Sequence, residues 1–395
     1  MIGFDEAFAL VLERAVPLAA EKVPLDAAHR RTLAAPVVAR VDHPPADVSA
    51  MDGYAVRNAE LTAGRTEFIV AGESFPGAGF AGTAGPGACV RIFTGAPMPE
   101  GFDRVVIQEN VRREGDVARV EDLGSGSIHV RRRGSDFRTG DVLLETGRRL
   151  DARALVAVAG ADLAEVTAWR RPRIALVSTG DELAVPGEAR SRPGTIPESL
   201  SAGLRALVED WGGTMVAHRR LGDQPDLIET AAAEALDSGD LVVVTGGASV
   251  GEKDFAKPVF ERLGLELIFP KVAIRPGKPV WFGRARDRLV MGLPGNPTSA
   301  MVTGRLLLAP LIAGLAGRDP ASAAQWRPAP LAADMDACIG RESFVRGQWS
   351  ERRVLPLSNQ DSGAQKALAD ADVLIRRRPG SPAAAAGEPV EVLDF

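Results

Sequence analysis

The segments IALVSTGDEL (174–183), LVVVTGGASVGEKDF (241–255) and LVMGLPGNPTS (289–299) each join a short apolar run to a glycine-rich loop. In a doubly wound α/β domain, all three loops would leave the carboxyl edge of one parallel sheet, where such folds bind ligands. Each loop also carries carboxylates or helix-opening amides, the groups that hold a phosphate and its divalent cation. The three segments therefore predict an α/β fold with a site for nucleotide or phosphate chemistry.

Around these segments, residues 171–318 alternate between strand and helix patterns. An apolar helical face runs from Leu200 to Trp211, and another helix opens near Pro225. The continuous apolar run before the second glycine loop indicates a strand buried on both faces, as a parallel sheet requires. We predict a doubly wound parallel-sheet domain over 171–318, with a hairpin-like segment and a long apolar helix near 298–315.

The rest of the chain predicts three further parts. Short β-type runs broken by Gly and Pro predict an inserted β domain over 41–140. A helical pattern at the start of the chain and another at 150–170 flank it, and we expect these helices to pack together in a discontinuous helical linker domain of 1–40 and 141–170. Strand-like pieces near the end predict a C-terminal β domain over 319–395.

The composition indicates a globular protein with ample core. The 395 residues are 45% hydrophobic and 25% charged, and the net charge of −5 gives no general attraction to nucleic acid or an anionic membrane. Cys89 and Cys338 lie far apart without a CxxC pattern, which predicts reduced thiols. The acidic, helical first residues differ from a signal peptide, so we expect a cytoplasmic protein.

The loop GLPGNPTS has the composition of an anion-binding helix start. We expect Asn296 to cap the following helix with Pro297 in its first position, while Gly295 permits close approach of the backbone. Pro294, Gly295, Asn296 and Ser299 are therefore candidate anion-binding residues.

The loop TGGASVGEKDF leaves backbone amides uncovered, and its candidate anion-binding residues are Gly246, Gly247 and Ser249. Asp254 opens the next helix. An Asp at this position is, taken alone, more often an N-terminal cap than a magnesium ligand. Three such loops in one domain favour the ligand interpretation.

Charged residues near the other loops allow two interpretations each. Asp181 and Glu182 directly follow a strand, where adjacent carboxylates form either a solvated turn or a cation site. Lys271, Arg275 and Lys278 form a basic cluster that suits an oxyanion, although a solvated surface run has the same pattern.

Seven motifs follow one another along nearly the whole chain: SAMDGYAV (49–56), IFTGAPMPEG (92–101), RRRGSDFRTGDVLLETGRRL (131–150), PRIALVSTGDEL (172–183), TGGASVGEKDF (245–255), RPGKPVWFG (275–283) and GLPGNPTS (292–299). A weaker one, NQDSGAQKALADADVLI, occupies 359–375. In this order they resemble the molybdopterin molybdenumtransferase family, known in bacteria as MoeA and in eukaryotes as the E domain of gephyrin and its plant counterpart.

The resemblance implies an elongated four-part subunit in a homodimer with sites shared between subunits. It also implies molybdenum cofactor biosynthesis: Mg²⁺-dependent insertion of molybdate into adenylylated molybdopterin, with release of AMP and molybdenum cofactor. The candidate protein partners are a molybdopterin adenylyltransferase and molybdoenzymes, with no nucleic acid and no membrane.

Five residues match positions that the family uses for activity: Asp52, Thr94, Asp136, Glu182 and Asp254. Asp223 is a weaker candidate. Cleavage of a pyrophosphate linkage needs a cation held by oxygen ligands, and we expect Glu182 and Asp254 to hold the magnesium. Arg275, Lys278 and Ser299 would take the anion.

The β-domain candidates Asp52, Tyr54 and Thr94 lie far in sequence from the α/β loops. They complete the site only if their domain folds over it or comes from the partner subunit, and the resemblance favours the partner subunit. Taken alone, MDGYAV is better interpreted as a buried turn with Tyr54 as a core anchor.

The chain departs from the family pattern at Leu200, where an Asn is usual after an acidic or amide residue and Ser. Two interpretations follow: Leu200 belongs to the apolar helix face, or a substrate contact has been lost. We expect the second, so that Leu200→Asn would tighten substrate binding by roughly 0.5 to 1.5 kcal/mol.

Two other classes of function remain. One is a catalytically weak or inactive paralogue that acts as a molybdopterin-binding or scaffold protein, which the departure at Leu200 supports. The other is a generic nucleotide-binding enzyme such as an adenylyltransferase, although the chain has no Walker-type GxxxxGK[ST] pattern.

Overall fold

The computed structural model describes residues 1–124, 126–246 and 255–395. The first part of the chain contains α1 (Phe4–Leu12), β1 (Ala20–Pro24), β2 (Val37–Val38), β3 (Val48–Ser49), β4 (Gly53–Val56), α2 (Asn58–Thr62), β5 (Glu67–Ser74), β6 (Ala88–Ile92), β7 (Arg104–Ile107), β8 (Val111–Glu114), β9 (Val117–Val120), β10 (Val130–Arg131), β11 (Val142–Leu144), α3 (Ala152–Gly160) and β12 (Glu165–Trp169).

The middle part contains β13 (Arg173–Thr179), β14 (Leu183–Ala184), β15 (Ile196–Pro197), α4 (Leu200–Asp210), β16 (Thr214–Leu221), α5 (Pro225–Ser238), β17 (Leu241–Thr245), α6 (Ala256–Arg262), β18 (Glu266–Phe269), β19 (Ile274–Arg275), β20 (Trp281–Ala285), β21 (Arg288–Leu293), α7 (Pro297–Thr303), a π-helical turn (Gly304–Leu308) and α8 (Ala309–Leu315). The last part contains β22 (Arg327–Pro330), β23 (Glu342–Ser350), β24 (Arg353–Pro356), α9 (Gln365–Ala369), β25 (Val373–Arg377) and β26 (Pro389–Asp394). Short 3₁₀ helices occupy Leu25–Ala27, Gln108–Asn110, Ala189–Ser191 and Pro320–Ala324.

The central sheet has the strand order β16-β13-β17-β21-β20-β18. Its first four strands are parallel, whereas β20 runs antiparallel to both of its neighbours. The predicted hairpin is therefore present as β20 and β21 at the far side of the sheet. All five residues of β17 are buried, which confirms the sequence prediction of a strand covered on both faces.

Helices cover both faces of this sheet, as the doubly wound prediction requires. Leu204 of α4, Leu306 of the π turn and Ile312 of α8 pack on one face with alternate residues of β13 and β17. On the other face, Ile228 of α5 and Phe260 of α6 pack on the intervening residues. The alternation of side chains along each strand thus buries both faces.

The helix formed by α7, the π turn and α8 spans 19 residues, Pro297–Leu315. By length and composition it could cross a membrane, but 94% of the tested window is buried inside the fold. Within it, Arg305 donates from Nε to the Asp394 carbonyl at 2.8 Å and from Nη1 to the Ala323 carbonyl at 2.6 Å. The helix is therefore the core helix of the α/β fold.

The predicted β insertion forms a sheet of order β7-β4-β6-β5-β9-β8. Its ends are tied to the rest of the chain on both sides, because β2 pairs with β11 and β1 pairs with β12. The C-terminal strands form another sheet of order β19-β23-β25-β26-β22, in which β24 also pairs with β23. The boundaries assigned to the four parts stay a prediction.

The expectation that the first helix packs with a helix over 150–170 is wrong. Residues 165–169 form the strand β12, whose alternating Val166 and Ala168 are buried, so only the first half of the segment is helical. Phe4 and Val11 of α1 belong to the core of the central sheet, whereas α3 lies in a separate cluster. The buried residues of α1 thus pack into the core of the central sheet, whereas those of α3 pack with the residues of β12.

Both cysteines are free and buried in the fold, as predicted. Burial raises the pKa of the Cys89 thiol to about 12. Cys89 therefore behaves as a small core residue.

Candidate active site

The described residues at and just after the ends of β13, β17 and β21 meet at the carboxyl edge of the central sheet, as predicted. They enclose a cavity of about 550 Å³, which we call the sheet-edge cavity. Its lining residues are Thr179, Gly180, Glu182, Leu183, Ile196, Pro197, Glu198, Ser199, Leu200, Asp223, Thr245, Gly246, Pro279, Pro294, Gly295, Asn296, Pro297, Gly363 and Gln365.

Two glycines allow these loops to approach one another. Gly246 has φ +86°, and a Cβ there would lie 2.1 Å from the Thr179 carbonyl oxygen. A Cβ on Gly295 would lie 3.3 Å from the Gly246 Cα. The predicted close approach at Gly295 is thus confirmed, and its partner is the backbone of the second loop.

Glu182 reaches the cavity from the first loop. Its side chain is exposed, and it forms no ion pair with any other described residue. A Cβ on Gly180 would lie 2.7 Å from Glu182 Oε2, so the glycine leaves room for the carboxylate to fold back against the strand end. This places one carboxylate at the cavity wall that no described Lys or Arg side chain pairs with.

Two hydroxyls of the cavity wall are buried without a hydrogen-bond partner within the described part of the chain, Thr179 Oγ1 and Ser199 Oγ. Thr179 is only 4% exposed. Buried polar groups are nearly always paired, so unpaired hydroxyls beside a cavity indicate that a ligand or water completes them.

The start of α4 contains a cap that sequence reasoning missed. The buried Glu198 carboxylate accepts from the backbone N–H of Leu200 at 3.1 Å and of Ser201 at 2.9 Å, and it also binds the Ser201 hydroxyl. A carboxylate followed by a Ser and an apolar helical face was the available signal. Leu200 lines the cavity, but it is only 6% exposed and belongs to the core cluster of the sheet.

Asn296 occupies the N-cap position of α7, yet the prediction that its side chain caps the helix is wrong. Its Nδ2 instead donates to Ser362 Oγ at 2.9 Å. Pro297 takes the first helical position as expected. Asn296 therefore joins the third loop to the C-terminal part of the chain, which contributes Gly363 and Gln365 to the cavity.

That C-terminal contribution depends on Arg346, which the sequence interpretation did not single out. Its side chain is fully buried and forms no ion pair with a described residue. Nη2 donates to the carbonyls of Asn359 at 3.2 Å and Asp361 at 3.1 Å, and Nη1 donates to that of Ala364 at 3.4 Å. The guanidinium thus holds the loop 359–364 in place.

The predicted anion side is only partly at the cavity. Pro294, Gly295, Asn296 and Gly246 line it. Arg275 and Lys278 are exposed close in sequence to Pro279, which lines the cavity, but neither is a lining residue. Ser299 is 5% exposed within α7 and also lies outside the lining.

The β insertion brings two candidates together. Asp52 Oδ1 accepts from the Thr94 backbone N–H at 2.7 Å and from its hydroxyl at 2.8 Å. These bonds, first the backbone one and then the hydroxyl, lower the pKa of Asp52. Tyr54 is buried in the same sheet and lies 5.0 Å from the Arg91 guanidinium, which agrees with its interpretation as a core anchor.

Asp136 lies at a second cavity of about 610 Å³, which we call the insertion cavity. Its wall includes His43, Arg131 and Gly95, the neighbour of Thr94. None of the described residues of the β insertion lines the sheet-edge cavity. Within one chain, the described structure therefore does not bring the two sets of candidates together.

The remaining candidates, Gly247, Ser249 and Asp254, lie outside the described residues. Among the described residues, no group of three Asp, Glu, His or Cys side chains could hold a metal ion. At the cavity, Asp181 Oδ1 accepts from the Asp223 backbone N–H at 2.9 Å. The carboxylate residues in the described lining of the cavity are Glu182, Glu198 and Asp223.

Comparisons with known proteins agree with this architecture. Three family profiles match in order: MoeA N-terminal region (domain I and II) over 2–161, probable molybdopterin binding domain over 175–314, and MoeA C-terminal region (domain IV) over 328–395. Two crystal structures of the molybdopterin biosynthesis MoeA protein from Pyrococcus horikoshii have a TM-score of 0.84 at 28% and 26% identity. They cover 100% of this chain and 99% and 100% of their own. The multidomain α/β fold is therefore confirmed.

Two proteins that are similar to this chain in sequence are both named molybdopterin molybdenumtransferase. A molybdopterin molybdenumtransferase of Haemophilus influenzae is 37% identical over 354 residues, which are 88% of this chain and 86% of that protein. Another, from Synechococcus elongatus, is 34% identical over 408 residues and covers 99% of both chains. This chain belongs to the molybdopterin molybdenumtransferase family.

Proposed function

We propose that this chain is a molybdopterin molybdenumtransferase that inserts molybdate into adenylylated molybdopterin and releases AMP and molybdenum cofactor. The observation that carries the proposal is the sheet-edge cavity, where glycine loops, an unpaired carboxylate and unpaired hydroxyls meet at one sheet edge. Such an edge is where open α/β sheets bind nucleotide-like ligands. Its volume of about 550 Å³ is in the range of small-molecule sites.

The donor set at the cavity fits Mg²⁺. Glu182 and Asp223 line the wall and offer oxygen ligands, and protein-bound Mg²⁺ is usually held by one or two carboxylates together with substrate phosphates and water. We assign Glu182 and Asp254 as the ligands. The chemistry that the ion supplies when bound is neutralisation of charge on the phosphoanhydride.

The protein groups bind and orient the substrate. Backbone amides of the glycine loops at Gly246 and Gly295 suit an anion at the start of a helix. Arg275 and Lys278 are exposed cations beside the cavity, and they would attract molybdate and the substrate phosphates. Thr179 and Ser199 present hydroxyls that gain partners when the ligand enters, which favours the occupied state.

We further propose a homodimer in which Asp52, Thr94 and Asp136 of one subunit complete the sheet-edge cavity of the other. Two observations support this arrangement: hydrogen bonds from Thr94 lower the pKa of Asp52 on the β insertion, and no described residue of the insertion lines the cavity of its own chain. A two-fold dimer would place each insertion against the partner's sheet edge by the same operation. The proposed compartment is the cytoplasm, where the substrates and acceptor molybdoenzymes would be present.

The direct test is an assay with adenylylated molybdopterin, molybdate and Mg²⁺, in which AMP and reconstituted molybdoenzyme activity are measured. We expect AMP release that depends on molybdate and stops when EDTA removes the divalent cation. Tight binding of molybdopterin without AMP release would contradict the proposal and identify a scaffold protein. Consumption of ATP with pyrophosphate release would identify an adenylyltransferase.

A further inference from the structure

Three polar side chains form a row across neighbouring strands of the central sheet, towards its carboxyl edge: His218 on β16, Ser178 on β13 and Thr245 on β17. The Nε2 atom of His218 lies 3.2 Å from Ser178 Oγ. Thr245 Oγ1 lies 3.0 Å from the same oxygen. Because Thr245 also lines the sheet-edge cavity, this row of hydrogen bonds joins His218 to the cavity wall.

Few other groups compete for the hydrogen bond between the two hydroxyls of the row. Ser178 is 0% exposed and Thr245 is 2% exposed, so water does not compete for them. A hydroxyl donates one hydrogen and accepts at its oxygen. When the group at one end of a buried row changes from acceptor to donor, the neighbouring hydroxyl must find a new acceptor for its hydrogen, and the next hydroxyl of the row is the acceptor within reach.

His218 is half-buried, and burial is the main cause of its lowered pKa. The charged groups that act on it are Glu198, which raises the pKa, and Arg205 of α4 and Arg220 of its own strand, which lower it. His218 is therefore neutral at neutral pH and takes up a proton on the acid side.

We propose that His218 is a positioning residue that sets, through Ser178, the direction of the Thr245 hydroxyl at the cavity. Protonated imidazole carries hydrogen on both nitrogens, so Nε2 must donate to Ser178. In the structure, Thr245 donates to Ser178. Once Nε2 donates, the Ser178 hydrogen loses Nε2 as its acceptor and turns to Thr245 Oγ1, which reverses that bond and frees the Thr245 hydrogen for a ligand in the cavity. The protonated row thus favours an anionic ligand.

This inference rests on the proposed function only for the identity of the ligand, a phosphate-bearing substrate. Anion binding and protonation of His218 favour each other reciprocally. The KM for the substrate should therefore fall as the pH is lowered through the titration of His218. The kcat should follow this change much less, because Thr245 acts on binding.

The test compares wild type with His218→Gln and Thr245→Val between pH 5.5 and 8. The matched control is His29→Gln, because His29 is exposed and only its carbonyl has a described contact, with Arg171. KM and kcat are measured by AMP release, and AMP affinity is measured by calorimetry. The phosphate of AMP titrates near pH 6 itself, but this effect is common to all variants and cancels in ratios to wild type.

As the pH is lowered from 8 to 5.5, the AMP affinity of wild type and of His29→Gln should rise roughly threefold to tenfold more than that of His218→Gln and Thr245→Val. This is the factor that one net hydrogen bond is worth. In wild type, NMR of labelled imidazoles should show the His218 titration moving to higher pH when AMP binds. If His218→Gln does not fold, Thr245→Val and the NMR titration carry the test.

Two outcomes separate this inference from the proposed function. If wild type releases AMP but its pH profile superimposes on those of both row variants, the row has no positioning role and the proposed function stands. If wild type releases no AMP, yet AMP binding retains the steeper pH dependence of wild type, the proposed function fails and the role of His218 stands.

Discussion

The sheet-edge cavity and the Asp52–Thr94 pair of the β insertion both carry predicted site residues, but their polar atoms are satisfied differently. At the cavity, Thr179 Oγ1 and Ser199 Oγ are buried and unpaired among the described residues. In the insertion, Asp52 already accepts two bonds from Thr94. An unpaired buried hydroxyl is costly, whereas a paired exposed carboxylate is not. The cavity thus has polar groups that a ligand would pair, whereas the polar contacts between Asp52 and Thr94 are already complete within the chain.

Glu182→Gln should have the largest effect, because it removes the unpaired charge of the cavity while keeping the volume of the side chain. We expect the rate of AMP release to fall at least about 100-fold, since a carboxylate that holds a catalytic cation contributes several kcal/mol. The unfolding midpoint should stay close to that of wild type. Steady-state kinetics and a thermal melt measure the two quantities.

Glu188→Gln is the matched control. Glu188 is also an exposed carboxylate of the segment after β13, but it pairs with Arg192 at 3.0 Å. It does not line the sheet-edge cavity. The activity of Glu188→Gln should equal that of wild type. Equal losses in both variants would show that the effect comes from the net charge of the loop and would remove Glu182 from the cation site.

The next experiment, with a smaller expected effect, tests whether the β insertion of one subunit and the sheet-edge cavity of the other form one site. Asp52→Ala and Glu182→Ala chains should each be inactive as homodimers. A purified mixed dimer should recover about half of the wild-type activity, because one of its two sites combines an intact insertion with an intact cavity. Tandem affinity tags isolate the mixed dimer, and AMP release is the measurement.

The control for this experiment is a mixed dimer in which one chain carries both substitutions and the other carries none. It should also contain one intact insertion and one intact cavity, but these would lie in the same chain and face defective partners. We expect no activity from it. Activity there, with none in the first mixed dimer, would place each site within one chain.

The sequence predicted the regions better than the contacts. Glycine loops after apolar strands located the sheet-edge cavity, because the carboxyl ends of parallel strands meet at one edge whatever the details of packing. The roles of Asn296 and Arg346 were missed because no local sequence pattern reports their contacts: Asn296 binds a residue 66 positions away, and Arg346 holds a loop 13 to 18 positions away. The packing of α1 was missed because an amphipathic face reports that a helix is buried, and not which surface buries it.

Leu200→Asn tests the departure from the family pattern with a smaller effect. Burial of Leu200 in the sheet core revises our expectation: the variant should lose about 1–3 kcal/mol of unfolding free energy, the cost of burying an unpaired amide. Substrate affinity should stay unchanged, because Glu198 already holds the start of α4. Chemical denaturation and the KM measure these quantities.

Leu207→Asn provides the comparison on the same helix, because Leu207 packs on the same core but does not line the sheet-edge cavity. Both variants should lose stability. Tighter substrate binding by Leu200→Asn alone would restore the interpretation that a substrate contact has been lost at this position.

The smallest effect concerns the junction that carries the β insertion. Asp42 accepts from the Thr139 backbone N–H at 2.8 Å and from Arg133 Nε at 2.6 Å, so it joins the two chain segments that enter and leave the insertion. The Thr139 N–H first, then Arg133 and the Thr139 hydroxyl, lower the pKa of Asp42 to about 2. A lowered pKa means that the ionised form stabilises the junction above the ordinary value of 3.8, and that this contribution is lost as the pH falls towards 2.

Asp42→Asn should therefore lower the calorimetric unfolding temperature by a few degrees at pH 5, because the charge that strengthens these bonds is absent. The difference from wild type should close as the pH falls from about 4 to about 2, since wild type then loses the same charge. Asp116→Asn, in the exposed turn between β8 and β9, should follow wild type at every pH. A difference that persists unchanged at low pH would show that Asp42 stabilises the junction through its shape and hydrogen bonds and not through its charge.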